Sequence, residues 1–421
     1  MSRSAFPATA SAGVLPPAGP RSLFRLAPPP LREAAAASAA SAALAVDICG
    51  LMQAGDHAPA WRDLALRSLE RNVFYEPDFA LAVTRHMRDF ARPVFAMVRD
   101  PRKPAESGLL GLFPVVMPKG ALGTLELFGW RHEQLALGTP LVDRDHAPAV
   151  IAAFLDWIAR QSSRAGGVLL PFITEDGPTA AAIRSVAEAT GRGIRRFGEH
   201  QRAVLRGGAT LDETLGRSMP GKKVKELRRL RRRLEERGAV EVVRHADPRG
   251  VRDATELFLA LEAKGWKGRN GTAFLDNANA ATFLRTVTRS LAQQGECSVD
   301  VMSVGGTAAG VGIILGDATR SFYWKTTFDE ELSTYSPGVQ LTLEMSSRQL
   351  EGGVTETDSC AIADHPMIDR LWPDRLAVAD WFVEARGASA SAAFAAAGES
   401  ARRSIRSTAK NLYHLAKGRK P

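Results

Sequence analysis

The sequence predicts a mixed α/β (α+β) chain in which one run of elements is laid down twice. Apolar periodicity along residues 58–386 gives helices, meandering strands, a helix, a strand, a short helix and a strand, and then the same order again. Composition is that of a folded protein, 45% hydrophobic and 24% charged. A chain of 421 residues exceeds what one ordinary core supports. Two consecutive units, each with a mixed, mostly antiparallel sheet flanked by helices, satisfy all three observations.

The first pass starts with helices at 61–69 and 79–87 around Asn72-Val-Phe-Tyr-Glu-Pro77. Strands follow at 94–98 and 109–117, then a helix at 149–160 with Val150, Ile151, Phe154, Leu155 and Ile158 on one side. A strand at 168–173, a helix at 179–189 and a strand at 201–205 close the pass. The second pass has helices at 221–237, 251–264 and 278–293, then strands at 298–304, 308–315 and 321–327. A helix at 337–350, a strand at 354–360, a helical piece at 366–371 and a strand at 377–384 complete it. The passes share element order and little sequence identity. The resulting domains are a Pro/Ala-rich leader read as disordered (1–57), an N-terminal unit (58–205), a C-terminal unit (206–386) and an Ala-rich, basic tail (387–421).

Charge is concentrated. The net +9 resides in residues 222–237 and 399–421, each +6, so the remainder is weakly acidic. That argues for two local anion-facing patches rather than a chain coated by nucleic acid. In 222–237, Val224, Leu227, Leu230 and Leu234 form an apolar stripe that docks the helix on its own domain; the Lys/Arg face is either solvated or takes coenzyme A phosphates, RNA or anionic lipid. In the tail, Ile405, Ala409, Leu412 and Ala416 fall at helical spacing, a thin stripe for an anionic membrane surface, a synthase partner or solvent. No apolar run approaches membrane-spanning length, and the expectation is a cytoplasmic protein. Cys49, Cys297 and Cys360 are far apart, which indicates neither a disulfide framework nor a metal site.

Several motifs fail on context. Gly216 to Lys223 resembles a phosphate-binding loop but lacks the Ser/Thr for magnesium and a preceding buried strand. Gly310-Val-Gly312 continues as strand, so its glycines mark a close backbone approach rather than a dinucleotide turn. Tyr335-Ser336-Pro337-Gly338 is more informative. Pro suits the first helical turn, Ser the N-cap, and Gly leaves the backbone uncovered. No acid stands in 337–341, so an external anion can take that place against the free N–H groups of the helix start formed by Ser336, Pro337, Gly338, Val339 and Gln340. An ordinary Ser-capped helix start is the alternative.

Four segments in order, "KELRRLRRRLEERG", "LFLALEAKGWKGRNGTA", "FYWKTTFDEELSTYSPGVQL" and "DHPMIDRLWPDR", make the second pass resemble the GNAT-like acetyltransferase of CelD/BcsL-type proteins of cellulose biosynthesis, relatives of the FemAB peptidyltransferases. Trp61 and residues 72–77 match more loosely, so the resemblance spans about 58–386. It implies tandem GNAT-like folds and an acyl-CoA N-acyltransferase. The donor would be acetyl-CoA and the acceptor a small-molecule or saccharide amine of envelope or exopolysaccharide metabolism, with no metal. A Fem-like alternative uses aminoacyl-tRNA, and a third is a non-catalytic accessory of a polysaccharide synthase. The family's pyrophosphate loop, R/Q-x-x-G-x-G/A, is present here only as Tyr335 to Gly338. The resemblance makes Tyr335 the acid for a departing thiolate and Glu262, Trp266 and Lys267 the acceptor wall. N-acyl transfer also needs oxyanion donors and a proton acceptor. Backbone around Thr326 and Thr327 can donate, and Lys325 can meet a phosphate or carboxylate. Asp358 and His365 are candidate bases, with a turn or capping role the alternative for each.

Overall fold

The computed structural model describes residues 43–87, 92–117, 126–161, 165–387 and 389–416. The expected leader over 1–42 lies outside the described residues. Residues 45–57, expected to belong to that leader, instead form strand β1 (Ala45–Cys49) and two short helical turns. Cys49 and Ala54 are buried in the core, which is why this part is not free.

In the first half, helices α1 (Ala58–Leu66) and α2 (Pro77–His86) precede strands β2 (Val94–Arg99), β3 (Leu109–Val116), β4 (Glu126–Gly129) and β5 (Leu141–Val142). Helix α3 (Ala147–Gln161), strand β6 (Gly167–Thr174), helix α4 (Pro178–Ala189) and strand β7 (Arg192–Arg206) follow. The second half has α5 (Leu211–Ser218), α6 (Gly221–Glu235), β8 (Val240–His245), α7 (Pro248–Lys264), the short α8 (Trp266–Arg269) and α9 (Ala278–Gln293). Strands β9 (Cys297–Val304), β10 (Thr307–Gly316) and β11 (Arg320–Phe328) lead to α10 (Pro337–Glu351), β12 (Glu356–Asp358), α11 (Ile368–Leu371), β13 (Asp374–Gly387) and α12 (Ala390–Ala416). Local chemistry sets the ends. Asp247 accepts the Arg249 and Gly250 amides at the start of α7, and Asn277 accepts those of Asn279 and Ala280 at the start of α9.

The two passes do not form two sheets. All strands of the described residues join one sheet in the order β1-β2-β3-β4-β6-β13-β7-β12-β11-β10-β9-β8, with β5 on β3. The last strand of each half crosses over: β13 lies between β6 and β7, and β7 lies between β13 and β12. Strand β7 is much longer than its apolar part, 201–205, suggests. Its first residues are Arg-rich and partly exposed, so no alternation marks them, and a register shift falls near Gly198, whose φ is +59°. Expected strand 354–360 shrinks to β12, because Cys360 turns away with φ +54°.

One face of the sheet carries α1, α2, α7 and α9 over a core shared by both halves, in which Phe79 meets Phe283 and Trp324 edge-on. On the opposite face α3 and α4 cover the first half, and α6, α10 and α11 the second. The apolar stripe of α6 docks as expected: Leu234 is buried, and Gln340 Nε2 donates to the Leu227 carbonyl at 3.0 Å. Gly310 and Gly312 are where α10 crosses β10; a Cβ at Gly312 would stand 2.4 Å from Met345 Sδ. Buried charges fasten the seam. Arg320 reaches Glu70 at 2.6 Å, and Arg71 reaches Glu76 and Glu296, both at 2.8 Å.

Because β6 needs β13 as its neighbour, a fragment of residues 43–206 alone is expected not to fold. Its amide proton spectrum should be collapsed, where residues 43–416 give a dispersed one.

Candidate active site

The site begins where two parallel strands part. β12 follows β11 for three pairs, Arg320↔Glu356, Ser321↔Thr357 and Phe322↔Asp358, and then leaves it. Asp358 is fully buried and ion-paired with Arg202 at 2.5 Å, and its other oxygen accepts the Cys360 amide at 2.9 Å. Arg202 also donates to the Ala136 carbonyl at 2.8 Å. The end of β12 is thus pulled toward β7 and the first half. Residues 323–328 keep β10 on one side and, among the described residues, have no strand on the other. A bulge against β10 gives β11 the extra residue Trp324, whose Nε1 donates to the Gln134 carbonyl at 3.1 Å.

Lys325 follows the bulge. Its ammonium lies 5.2 Å from the Trp324 ring centre and 5.7 Å from that of Phe274. Burial pushes its pKa down to about 8; neighbouring Lys267 acts in the same direction and Glu262 against it. Glu262, from α7, is buried, holds the Lys267 ammonium at 2.6 Å and accepts the Phe274 amide at 2.9 Å. The turn carrying Lys267 is tight: a Cβ on Gly268 would stand 1.8 Å from the Ala263 carbonyl oxygen. Glu330 fixes the same turn, taking the Trp266 amide at 2.6 Å and the Arg269 guanidinium at 2.5 Å. Glu262, Trp266, Lys267, Thr326, Thr327 and Phe328 line one small cleft.

The structure therefore brings together Lys325, Thr326, Thr327, Glu262, Trp266 and Lys267. The other expected residues are occupied elsewhere. Asp358 is spent on Arg202, so the base role expected for it is withdrawn. His365 Nδ1 accepts the Met367 and Ile368 amides at 3.3 and 3.4 Å, which makes it a local cap. Tyr335 ends a 3-10 turn and packs under Arg233, whose guanidinium is 5.6 Å from the ring centre. Ser336 occupies the N-cap of α10 in the left-handed region, φ +55°, and its side chain makes no cap. Its carbonyl takes the Val339 and Gln340 amides at 3.0 and 3.1 Å, and Pro337 has no N–H. Gly338 is buried, and a Cβ there would stand 2.8 Å from the Phe328 ring. This glycine admits an aromatic ring of its own chain, not a ligand, so the expected anion cradle over 336–340 is covered.

Sequence reading missed the first half's share. The loop after β4 reaches the site: beside Gln134 and Ala136, His132 is buried, and its pKa falls to about 4 through burial, opposed by Glu133 and assisted by Lys325. Only the exchanged topology joins positions 190 residues apart. A second omission had a signal. In the first half the parallel pair β4/β6 ends at Phe128↔Leu169, as β11/β12 ends at Phe322↔Asp358. Aligning these points sets Phe128-Gly-Trp130-Arg131 on Phe322-Tyr-Trp324-Lys325. Just beyond each parting stands a non-glycine residue in the left-handed region, Phe172 (φ +50°) or Cys360 (φ +54°). Arg131, in the place of Lys325, lies 4.1 Å over the Phe172 ring and pairs with Asp380 at 3.2 Å.

Removing Asp358 strands a buried guanidinium. Asp358→Ala is expected to lower unfolding free energy by about 3–5 kcal/mol, measured by denaturant titration, and more than Asp358→Asn.

Residues 221–365 match the family model described as an acetyltransferase (GNAT) domain. No curated protein matches the sequence. Among solved structures the chain is similar to FemX, with 12% identity, a TM-score of 0.51, and coverage of 78% of this chain and 95% of that one. It is also similar to the C-terminal domain of a putative lysylphosphatidylglycerol synthetase from Agrobacterium fabrum, with 11% identity, coverage of 82% and 96%, and a TM-score of 0.49. A conserved protein of unknown function from Bacteroides thetaiotaomicron gives 11% identity, coverage of 77% and 97%, and a TM-score of 0.48. With the parted strands and their repeat, the match over residues 221–365 and the likeness in fold to FemX identify the architecture as a tandem GNAT-like fold, whose second half carries the GNAT-domain match.

Proposed function

We propose that this chain is an N-acyltransferase that moves an acyl group, acetyl from acetyl-CoA first of all, onto an amine of a small-molecule or saccharide acceptor. The observation that carries the reading is the open edge of 323–328 with Lys325 beside it, facing the same cleft as the Glu262–Lys267 pair. In such a transfer the neutral amine attacks the acyl carbon, the carbonyl oxygen takes the negative charge, and the donor's leaving group departs as the carbonyl re-forms. Charge must be met where it develops, and a part-buried cation with unpaired backbone N–H groups does that. Lys325 makes no ion pair within hydrogen-bonding reach among the described residues, so its charge is available to the reaction. Lys267, held by Glu262, stands as the second cation, and Trp266 walls the acceptor side. An acceptor of envelope or exopolysaccharide metabolism, cellulose included, and a cytoplasmic location are part of this proposal.

Aminoacyl transfer from tRNA is a second reading, favoured by two observations. The start of α10 is covered by Phe328 rather than open to a diphosphate. On α6, Lys222, Lys223, Lys225 and Arg232 are exposed and make no ion pair among the described residues. Calorimetric titration with acetyl-CoA, beside filter binding of aminoacylated tRNA at several salt concentrations, separates the readings. Micromolar acetyl-CoA binding supports the first. Its absence, with tRNA binding that weakens steeply with salt and is lost in Lys222→Glu/Lys223→Glu/Lys225→Glu, replaces it by the second.

Lys325→Ala should lower kcat by about 10²–10³-fold with a smaller change in KM. The sign of the pH effect is fixed by the role. The cationic form prevails below a pKa of about 8, so its contribution is full near neutrality and is lost as pH rises through that value. The rate ratio of wild type to Lys325→Arg, whose charge persists, should therefore fall through pH 8. A ratio that rises instead assigns Lys325 as a proton acceptor.

A further inference from the structure

Helix α12 has two working sides, and the chain uses one. Toward the body, Ala392, Ala395 and Ala396 are buried against Phe382, Leu169 and Phe197. The approach is close, with a Cβ at Gly166 standing only 3.0 Å from that of Ala395. Arg403 clamps this side on Asp380 at 2.6 Å, and Arg402 lies 5.0 Å over the Phe128 ring. On the outer side Phe394 is 64% exposed and Ile405 69% exposed. Ala397 and Ala401 stand between them at steps of three, four and four residues, so the four make a single line along the helix. The sequence repeats an apolar residue, Leu412, five helical turns after Phe394. Nothing else in the described chain covers Phe394 or Ile405.

The sequence that continues from this line is strongly cationic. Residues 399–421 carry seven Lys/Arg against a single acid, Glu399, which is already bonded to Arg402 and Arg403. A line of Phe, Ala, Ala and Ile flanked by a cationic segment is complementary to a surface that is apolar beneath and anionic above. No described helix is long and apolar enough to cross a membrane, so this one would lie on it.

We propose that α12 docks the protein on an anionic membrane surface through Phe394, Ala397, Ala401 and Ile405. The inner alanine side keeps the folded body attached to the docked helix. The proposal is independent of acyl transfer, because it uses neither the cleft nor its residues.

Co-sedimentation of the full chain with vesicles tests it. Vesicles of phosphatidylglycerol and phosphatidylcholine should retain the protein, and pure phosphatidylcholine should not. Phe394→Ser/Ile405→Ser, at two exposed sites, should keep the circular dichroism spectrum and lose at least tenfold in partitioning. Raising salt from 0.1 to 0.5 M should weaken wild-type binding by a similar factor. Phe394→Trp should gain fluorescence that brominated lipid quenches. Failure of the wild type to bind anionic vesicles, or equal binding by the double serine variant, overturns the proposal; the stripe then belongs to a protein partner.

Discussion

Everything near the candidate site depends on where β12 lets go of β11. Three parallel pairs hold the strands together, and a buried ion pair, Arg202–Asp358, ends the contact. Moving a carboxylate and a guanidinium out of water is costly, and the pair offsets that cost only while its geometry is kept. Asp358 is therefore fixed in place, with its second oxygen on the Cys360 amide. The left-handed turn at Cys360 then carries the chain away from β11, and the strand edge it would have covered stays open. A carboxylate expected to accept protons instead fixes the opening.

That ion pair spans both halves of the sequence, and so does the anchor of the bulge in β11. Arg202 comes from the last strand of the first half and Asp358 from the second. Trp324 hangs its indole N–H on the carbonyl of Gln134. The exchange of β7 and β13 turns what would be an interface between two domains into the middle of a sheet, where backbone hydrogen bonds and side chains are committed together. The seam also holds Arg320 with Glu70 and Arg71 with Glu76 and Glu296, so relative movement of the halves would expose paired charges to mismatch. A rigid seam suits a site whose walls come from both sides.

Much of this was legible in the sequence, in a particular way. Element order and the docking stripe of α6 follow from periodicity, which local residues determine. Lys325, Thr326, Thr327, Glu262, Trp266 and Lys267 were collected partly by resemblance, and the structure does gather them. What was misread is where one residue type serves two purposes. A glycine after proline reads as room for a ligand, yet Gly338 makes room for Phe328. The absence of an acid at the start of α10 reads as a place for an anion. In the structure Pro337 has no amide to offer, the Ser336 carbonyl takes those of Val339 and Gln340, and Pro337, Gly338 and Gln340 are buried. An aspartate after a buried strand reads as a base, and its partner, Arg202, lies 156 positions away, where no local pattern reaches.

The repeat Phe-x-Trp-cation shows how two similar halves come to differ. In the first half the parting after Phe128 is filled by the chain that follows. Gly138 lies so near Pro171 that a Cβ would stand 2.2 Å from its carbonyl oxygen, and Leu135 and Leu137 are buried there. Arg131 keeps a permanent charge and gives it to Asp380. In the second half Lys325 has aromatic rings for neighbours and no ion-pair partner among the described residues, so burial outweighs the opposing pull of Glu262 on its charge. An arginine paired in a filled seam can only bind. A lysine whose pKa burial lowers to about 8 at an open strand edge can respond to charge that appears and disappears, which is the role the proposed acyl transfer asks of it.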